Sequence, residues 1–155
     1  IQFLEAQTHY PDQRMVNDRL IEEMRLCRGE KWLEVGSGSG ALCRQAAPSL
    51  LSSGCIFGMD ASQFYLAQAV LFALEKHAAD GIHFLAGSGD TIPFPSETFD
   101  GVFAARLMLN VNNPDEILQE MVRVARNGAR ILLMESRLGP SGPAYRPLHT
   151  ADLAG

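Results

Sequence analysis

Lys31-Trp32-Leu33-Glu34-Val35-Gly36-Ser37-Gly38-Ser39-Gly40-Ala41 is the stretch whose reading decides the fold. Its first half, Lys31 to Val35, is short, mostly apolar and bounded by turn residues, as a strand buried on both faces should be. Glycines at every second position then let the backbone turn sharply and approach a ligand closely, because they carry no Cβ. From about Ala41 to Leu51 the period becomes helical. A strand, a glycine loop and a helix in that order place free helix N–H groups beside the loop.

The same alternation repeats outward along the chain. A helix from about Gln13 to Leu26 carries Met15, Leu20, Ile21, Met24 and Leu26 on one side. Gly54 to Met59 reads as a second strand ending at Asp60, and Ser62 to Ala79 as a long helix facing inward through Phe64, Leu66, Ala67, Val70, Leu71 and Leu74. Ile82 to Ala86 is a third strand. The segment Gly87 to Thr98 is a loop, since Pro93 and Pro95 exclude helix, and Phe99 to Ala105 is a fourth strand. Asn113 then stands as a helix cap, with Pro114 at the first helical position and Asp115 and Glu116 at the positive helix end. Ile117, Leu118, Met121, Val122 and Ala125 face inward, Asn127-Gly128 stops the helix, and Ala129 to Met134 is a fifth strand. Gly139 to Pro147 reads as a loop. The fold class is α/β: a Rossmann-like, doubly wound, mostly parallel sheet in an αβα sandwich, whose ligands belong at the carboxyl ends of the strands.

Composition narrows the function. The chain has 155 residues, 46% apolar and 20% charged, which is ordinary globular usage and the size of one core. Its net charge is −5, with basic residues scattered singly, so no nucleic-acid partner is expected. The uncharged runs 45–59 and 61–74 are interrupted by polar residues and are short of the ~20 apolar residues a membrane span needs. The three cysteines, Cys27, Cys43 and Cys55, show no C-x-x-C spacing; no metal site is expected, and a reducing cytoplasm fits them best. Trp32, the six methionines and these cysteines are read as core.

Two ligands compete for the glycine loop. Gly36-x-Gly38-x-x-Ala41 satisfies a dinucleotide fingerprint, and Asp60, 24 positions after Gly36, can accept hydrogen bonds from ribose hydroxyls of either ligand. Glu34 tips the balance. A carboxylate there repels a pyrophosphate and attracts an ammonium or sulfonium group, so a cationic adenosyl ligand is favoured.

At this point the chain resembles the class I S-adenosylmethionine-dependent methyltransferases, in particular the small-molecule branch of ubiquinone and menaquinone biosynthesis. The resemblance spans about Lys31 to Glu135. Glu34 to Gly40 is similar to the family's acidic-x-Gly-x-Gly-x-Gly loop, and Gly58-Met59-Asp60-Ala61-Ser62 to the end of its second strand. Ile92-Pro93-Phe94-Pro95 with Phe99-Asp100 resembles its Leu-Pro-Phe-Pro and Phe-Asp segment, and Arg123 to Arg130 its Arg-Val-Leu-Lys-Pro-Gly-Gly turn. The resemblance implies S-adenosylmethionine as cofactor, running along the backbone of Gly36, Ser37 and Gly38 with its amino group near Glu34. It implies ribose on Asp60, adenine against Ala61, the adenine edge at Ser88, Gly89 or Asp90, and a carbonyl from Ala104. Ser88 replaces the family's usual aspartate, and Asn110 stands where many relatives carry histidine.

The implied reaction is in-line transfer of the sulfonium methyl to a small-molecule acceptor, which chiefly requires alignment and exclusion of water. No catalytic base is assigned; His9, Tyr10, His149, Arg106 and Asn110 are the candidates. Arg106 reads as a solvated or ion-paired side chain ahead of a substrate binder, Asp100 as a turn cap, and His77 and His83 as surface residues. Two other functions share these residues: an NAD(P)-dependent oxidoreductase, and a non-catalytic adenosyl-binding module. The organisation expected is one methyltransferase domain over 1–155, with a helical cap segment at 1–30 and a cofactor-binding core at 31–136. Since the family's sheet usually has seven strands and five are read here, the last two are expected to be missing from this stretch. Acceptor identity and oligomeric state are not specified.

Overall fold

A computed structural model describes residues 11–50, 53–135, 137–139 and 142–144. In chain order its elements are α1 (Pro11–Met24), β1 (Lys31–Val35), α2 (Ala41–Leu50), β2 (Cys55–Asp60), α3 (Gln63–Glu75), β3 (Ile82–Ala86), β4 (Phe99–Ala105), α4 (Pro114–Val124), β5 (Ala125–Met134), β6 (Arg137–Gly139) and β7 (Gly142–Ala144). Five strands form one parallel sheet in the order β3-β2-β1-β4-β5. The order reverses beside β1, so the carboxyl ends of β1 and β4 diverge into a crevice, the position where such sheets hold ligands.

Alternation along β1 assigns its two faces. Trp32 packs with Val16, Leu20 and Met24 of α1 and with Leu42, Cys43 and Leu50 of α2. Leu33 and Val35 pack on the other face with Ile117, Met121 and Val124 of α4. Gly101 sits under the Trp32 ring, where a Cβ would lie 2.3 Å from a ring carbon. On the α4 face, Arg123 donates to the carbonyls of Phe94 (2.8 Å) and Ile92 (2.9 Å), while the Glu120 carboxylate accepts from the Ile92 N–H at 2.8 Å. The Ile92–Pro95 segment and the Arg123 segment, far apart in sequence, therefore hold each other.

Several sequence expectations need correction. The inward face of α3 is Leu66, Ala69 and Ala73, while Phe64 is 63% and Leu74 58% exposed and Val70 and Leu71 are exposed as well. The helix ends at Glu75, not Ala79. Its close packing explains the choice of face: a Cβ on Gly40 would meet the Phe84 ring at 2.5 Å and Ala69 at 3.1 Å, and only small side chains suit that approach. Met15 and Val122 are exposed, and Cys27 is exposed rather than core.

α4 ends at Val124, and β5 runs through Asn127-Gly128 instead of starting after it. The register against β4 shifts between Phe99 and Gly101, so Asn127-Gly128 falls in a bulge where Gly128 takes φ +79°. Asn113 occupies the cap position without a side-chain capping bond. Asp100 lies in β4, accepts from the Lys31 N–H at 2.8 Å and pairs with Arg126, tying strands together at their amino ends. The stretch expected as a loop includes part of an antiparallel ribbon, with Leu138 opposite Pro143.

Candidate active site

The glycine loop leaves β1 at the centre of the sheet's carboxyl edge. The Gly36 and Ser37 N–H groups both donate to the Met59 carbonyl of β2, at 2.8 and 2.9 Å, and Gly40 N–H donates to the Ser37 carbonyl at 2.8 Å. These bonds hold Gly36, Gly38 and Gly40 at φ +76°, +53° and +72°, a region glycine adopts without strain. What surrounds each differs. A Cβ at Gly40 would strike Phe84 and one at Gly36 would strike Leu107, whereas one at Gly38 would meet nothing within 4 Å. Open space therefore lies over Gly38.

That space belongs to a cleft of about 370 Å³, within the range of small-molecule sites, roughly 300–1,000 Å³. Glu34, the loop from Gly36 to Ser39, Asp60, Tyr65, the segment from Ala105 to Leu107, Gln13 of α1 and Asn110 line it. Asp60 accepts from the Gly38 N–H and from the Ser62 N–H, both at 2.8 Å, which fixes the carboxylate at the mouth of the loop. A carboxylate offers about four lone-pair positions, so two remain for a ligand. Ser37 is 6% exposed, and its Oγ has no hydrogen-bond partner. An enclosed hydroxyl left unpaired at the wall of an open cleft fits a polar ligand.

Glu34 is 2% exposed. The Cys43 thiol of α2 donates to its Oε2 at 2.9 Å. Burial pushes the Glu34 carboxyl up from 4.5 to about 7, against the opposing pull of the Cys43 hydrogen bond and the Arg106 charge. Burial and the neighbouring Glu34 likewise push the Cys43 thiol well above its ordinary value. Glu34 is thus poised to ionise when a cation arrives beside it.

Of the residues singled out from sequence, Glu34, Gly36, Ser37, Gly38 and Asp60 meet in this cleft. Ala61 follows Asp60 and is exposed. Ser88, Gly89 and Asp90 do not line the cleft: Ser88 bridges to Thr91, and a Cβ on Gly89 would crowd Val35 and Ile117. Ala104 is fully buried inside β4, and its neighbour Ala105 reaches the cleft. Arg106, read as an ordinary surface or ion-paired residue, lines the cleft, as do Gln13, Tyr65 and Leu107, which sequence reasoning passed over. Cys43, read as core, is in addition the partner of Glu34. Arg106 stands among the candidate bases read from sequence, but no sequence signal marks Gln13, Tyr65, Leu107 or the pairing of Cys43 with Glu34, because their neighbours come from other elements. His9, Tyr10 and His149 lie outside the described residues. Among the described residues no cluster of His, Cys, Asp and Glu is arranged to hold a metal.

Comparison with known proteins decides the family. The methyltransferase domain family matches residues 33–133, from within β1 to within β5. The chain belongs to the class I S-adenosylmethionine-dependent methyltransferase family. Among curated relatives of this family, the ubiquinone/menaquinone biosynthesis C-methyltransferase of Hahella chejuensis is 30% identical over 115 residues, covering 74% of this chain and 46% of that protein. The protein of the same name from Pseudomonas paraeruginosa is also 30% identical, with 45% of its length covered. The chain spans about half the length of the curated relatives it matches. Among solved structures, an S-adenosylmethionine-dependent methyltransferase from Aquifex aeolicus superimposes with a TM-score of 0.72 at 22% identity, over 82% of this chain and 68% of the other. The methyltransferase fold is thus shared, and S-adenosylmethionine is the cofactor of the family.

Proposed function

We propose that this methyltransferase chain binds S-adenosylmethionine in the cleft over Gly36–Ser39 and directs its methyl group to a small-molecule acceptor. The observation that carries the reading is the open space over Gly38 beside the enclosed, unpartnered Ser37 hydroxyl. When bound, S-adenosylmethionine supplies a methyl group already activated by positively charged sulfur. The protein's share is to bind, orient and exclude water.

In this reading the backbone of Gly36, Ser37 and Gly38 accommodates the amino-acid portion, and Glu34 ionises against its ammonium group. Asp60 accepts from the ribose hydroxyls with its two remaining lone-pair positions. Adenine extends beyond the cleft past Asp60, where Ala61 covers it and the Ser88–Asp90 loop, tied to β2 by the Gly87 N–H to the Asp60 carbonyl at 3.1 Å, meets its edge, while the end of β4 at Ala104 and Ala105 flanks the amino group. Asn110, whose Nδ2 donates to the Arg106 carbonyl at 2.9 Å, is an amide without basicity and can orient an acceptor but not deprotonate it. The similarity to quinone-pathway methyltransferases supports a small organic acceptor. No helix among the described residues is long and apolar enough to cross a membrane. The free thiols of Cys27, Cys43 and Cys55 support a cytoplasmic setting, and the scattered basic residues argue against a nucleic-acid partner.

Thermal unfolding with S-adenosylhomocysteine or NADPH tests the reading. At a hundredfold excess over Kd, a specific ligand stabilises by about 2.7 kcal/mol. S-adenosylhomocysteine should raise the Tm, NADPH should not, and Asp60→Ala should lose most of the effect. Stabilisation by NADPH alone, or an undiminished response in Asp60→Ala, overturns it.

A further inference from the structure

We propose that Arg106, steadied by Asn17 and Gln13 of α1, forms a carboxylate-binding subsite in the cleft. Arg106 is the one cationic side chain lining the cleft among the described residues. Its guanidinium carries five N–H donors, yet its described hydrogen bonding is a single contact, Nη1 to Asn17 Oδ1 at 3.3 Å. No described carboxylate hydrogen-bonds to it. Glu34 feels its charge without bonding to it.

Three further observations converge there. Asn17 is fully buried in α1, and its Oδ1 accepts from both Arg106 and Gln13 Nε2, the latter at 3.2 Å, while its Nδ2 has no partner. The Ser37 hydroxyl is enclosed and unpartnered in the same cleft. Arg106 itself is held at φ +57°, with its N–H donating to the Met134 carbonyl at 2.7 Å and its own carbonyl accepting from Asn110 Nδ2. A bulky residue in this region is strained, and such strain collects where structure serves a ligand. The other non-glycine residues with positive φ among the described residues, Arg25, His77 and Glu97, do not line the cleft. Unused planar donors on a fixed arginine are suited to one ligand chemistry, a carboxylate gripped by two parallel N–H···O bonds.

The inference rests on the adenosyl reading of the cleft. The carboxylate has two sources, the amino-acid end of the adenosyl ligand or an acidic acceptor. Having Glu34 and Arg106 in one cleft favours the first, because together they match an ammonium and a carboxylate on one molecule.

Calorimetry separates the cases using S-adenosylhomocysteine and S-adenosyl-3-thiopropylamine, the same molecule without its carboxylate. The whole chain should prefer the former by about 10- to 100-fold, the range for hydrogen bonds to a charged group. Arg106→Met should abolish that preference while leaving affinity for the amine within about twofold. Arg106→Gly should do the same, and it guards against misfolding because glycine adopts φ +57° without strain. In a second arm, protein saturated with S-adenosylhomocysteine is titrated with benzoate and with benzyl alcohol. An Arg106-dependent preference for benzoate, with the cofactor preference unchanged, assigns the subsite to the acceptor. If neither preference depends on Arg106, the proposal is overturned although the adenosyl reading stands. If the folded wild-type chain binds neither adenosyl compound, both fall.

Discussion

Replacing Glu34 with glutamine should make the free protein more stable at alkaline pH while weakening its ligand site. Burial raises the Glu34 carboxyl from 4.5 to about 7 in the folded chain, whereas in the unfolded chain it ionises near the ordinary value. Between those pH values the folded protein keeps a proton that the unfolded chain has released. Its stabilising effect is therefore complete below about pH 4.5, declines as pH rises, and is gone above about 7. At ~1.36 kcal/mol per tenfold change in proton affinity, the loss levels off near 3 kcal/mol. Glutamine cannot ionise, and its amide oxygen can still accept from the Cys43 thiol. Urea unfolding of wild type and Glu34→Gln at pH 5 and 8.5 should show near-equal stability at the lower pH. At the higher pH the variant should lead by about 2–3 kcal/mol, roughly 4–12 °C in Tm for a chain of this size. Its affinity for S-adenosylhomocysteine should fall at least about tenfold, since a neutral amide replaces a charge-assisted partner. A gap that is the same at both pH values, or a variant less stable at pH 8.5, would refute the reasoning.

Cys43→Ala removes a hydrogen bond that favours ionised Glu34, so the Glu34 titration followed by carbon NMR should move upward from about 7, while Cys43→Ser should hold it near there. Gly101→Ala forces a methyl to within 2.3 Å of the Trp32 ring, and chemical denaturation should show a loss of about 3 kcal/mol or more. On α3, Leu74→Gln should change stability by less than about 0.5 kcal/mol, and Leu66→Ala should cost about 2–4 kcal/mol. The reverse order would restore the face read from sequence.

Much of this arrangement was legible in the chain. Lys31 to Ala41 announced strand, loop and helix because buried strands and φ-positive glycines leave local signatures. Asp60 was legible because a parallel sheet returns its strand ends to one edge. Where local signals are ambiguous, packing decides. α3 is apolar on nearly every side, so its period cannot choose between the Leu66–Ala69–Ala73 face and the Phe64–Leu71–Leu74 face, and close packing against Gly40 and Phe84 decides. Asn127-Gly128 carries a turn signal that tertiary pairing turns into a bulge within β5. Arg106 acquires its place through bonds to Asn17 and Met134, distant in sequence, and Cys43 meets Glu34 only because α2 folds back on β1. Contacts of that kind have no short-range pattern.

The central claim is that an adenosyl ligand sits over the glycine loop at the carboxyl edge of the sheet, and amide NMR of the labelled chain titrated with S-adenosylhomocysteine tests it most directly. Saturable shifts are expected, concentrated at Gly36, Ser37, Gly38, Ser62 and Arg106. No shifts in the folded protein would contradict it. So would shifts confined to the opposite edge of the sheet, where Pro48, Gly54, His77 and Gly81 line a separate hollow.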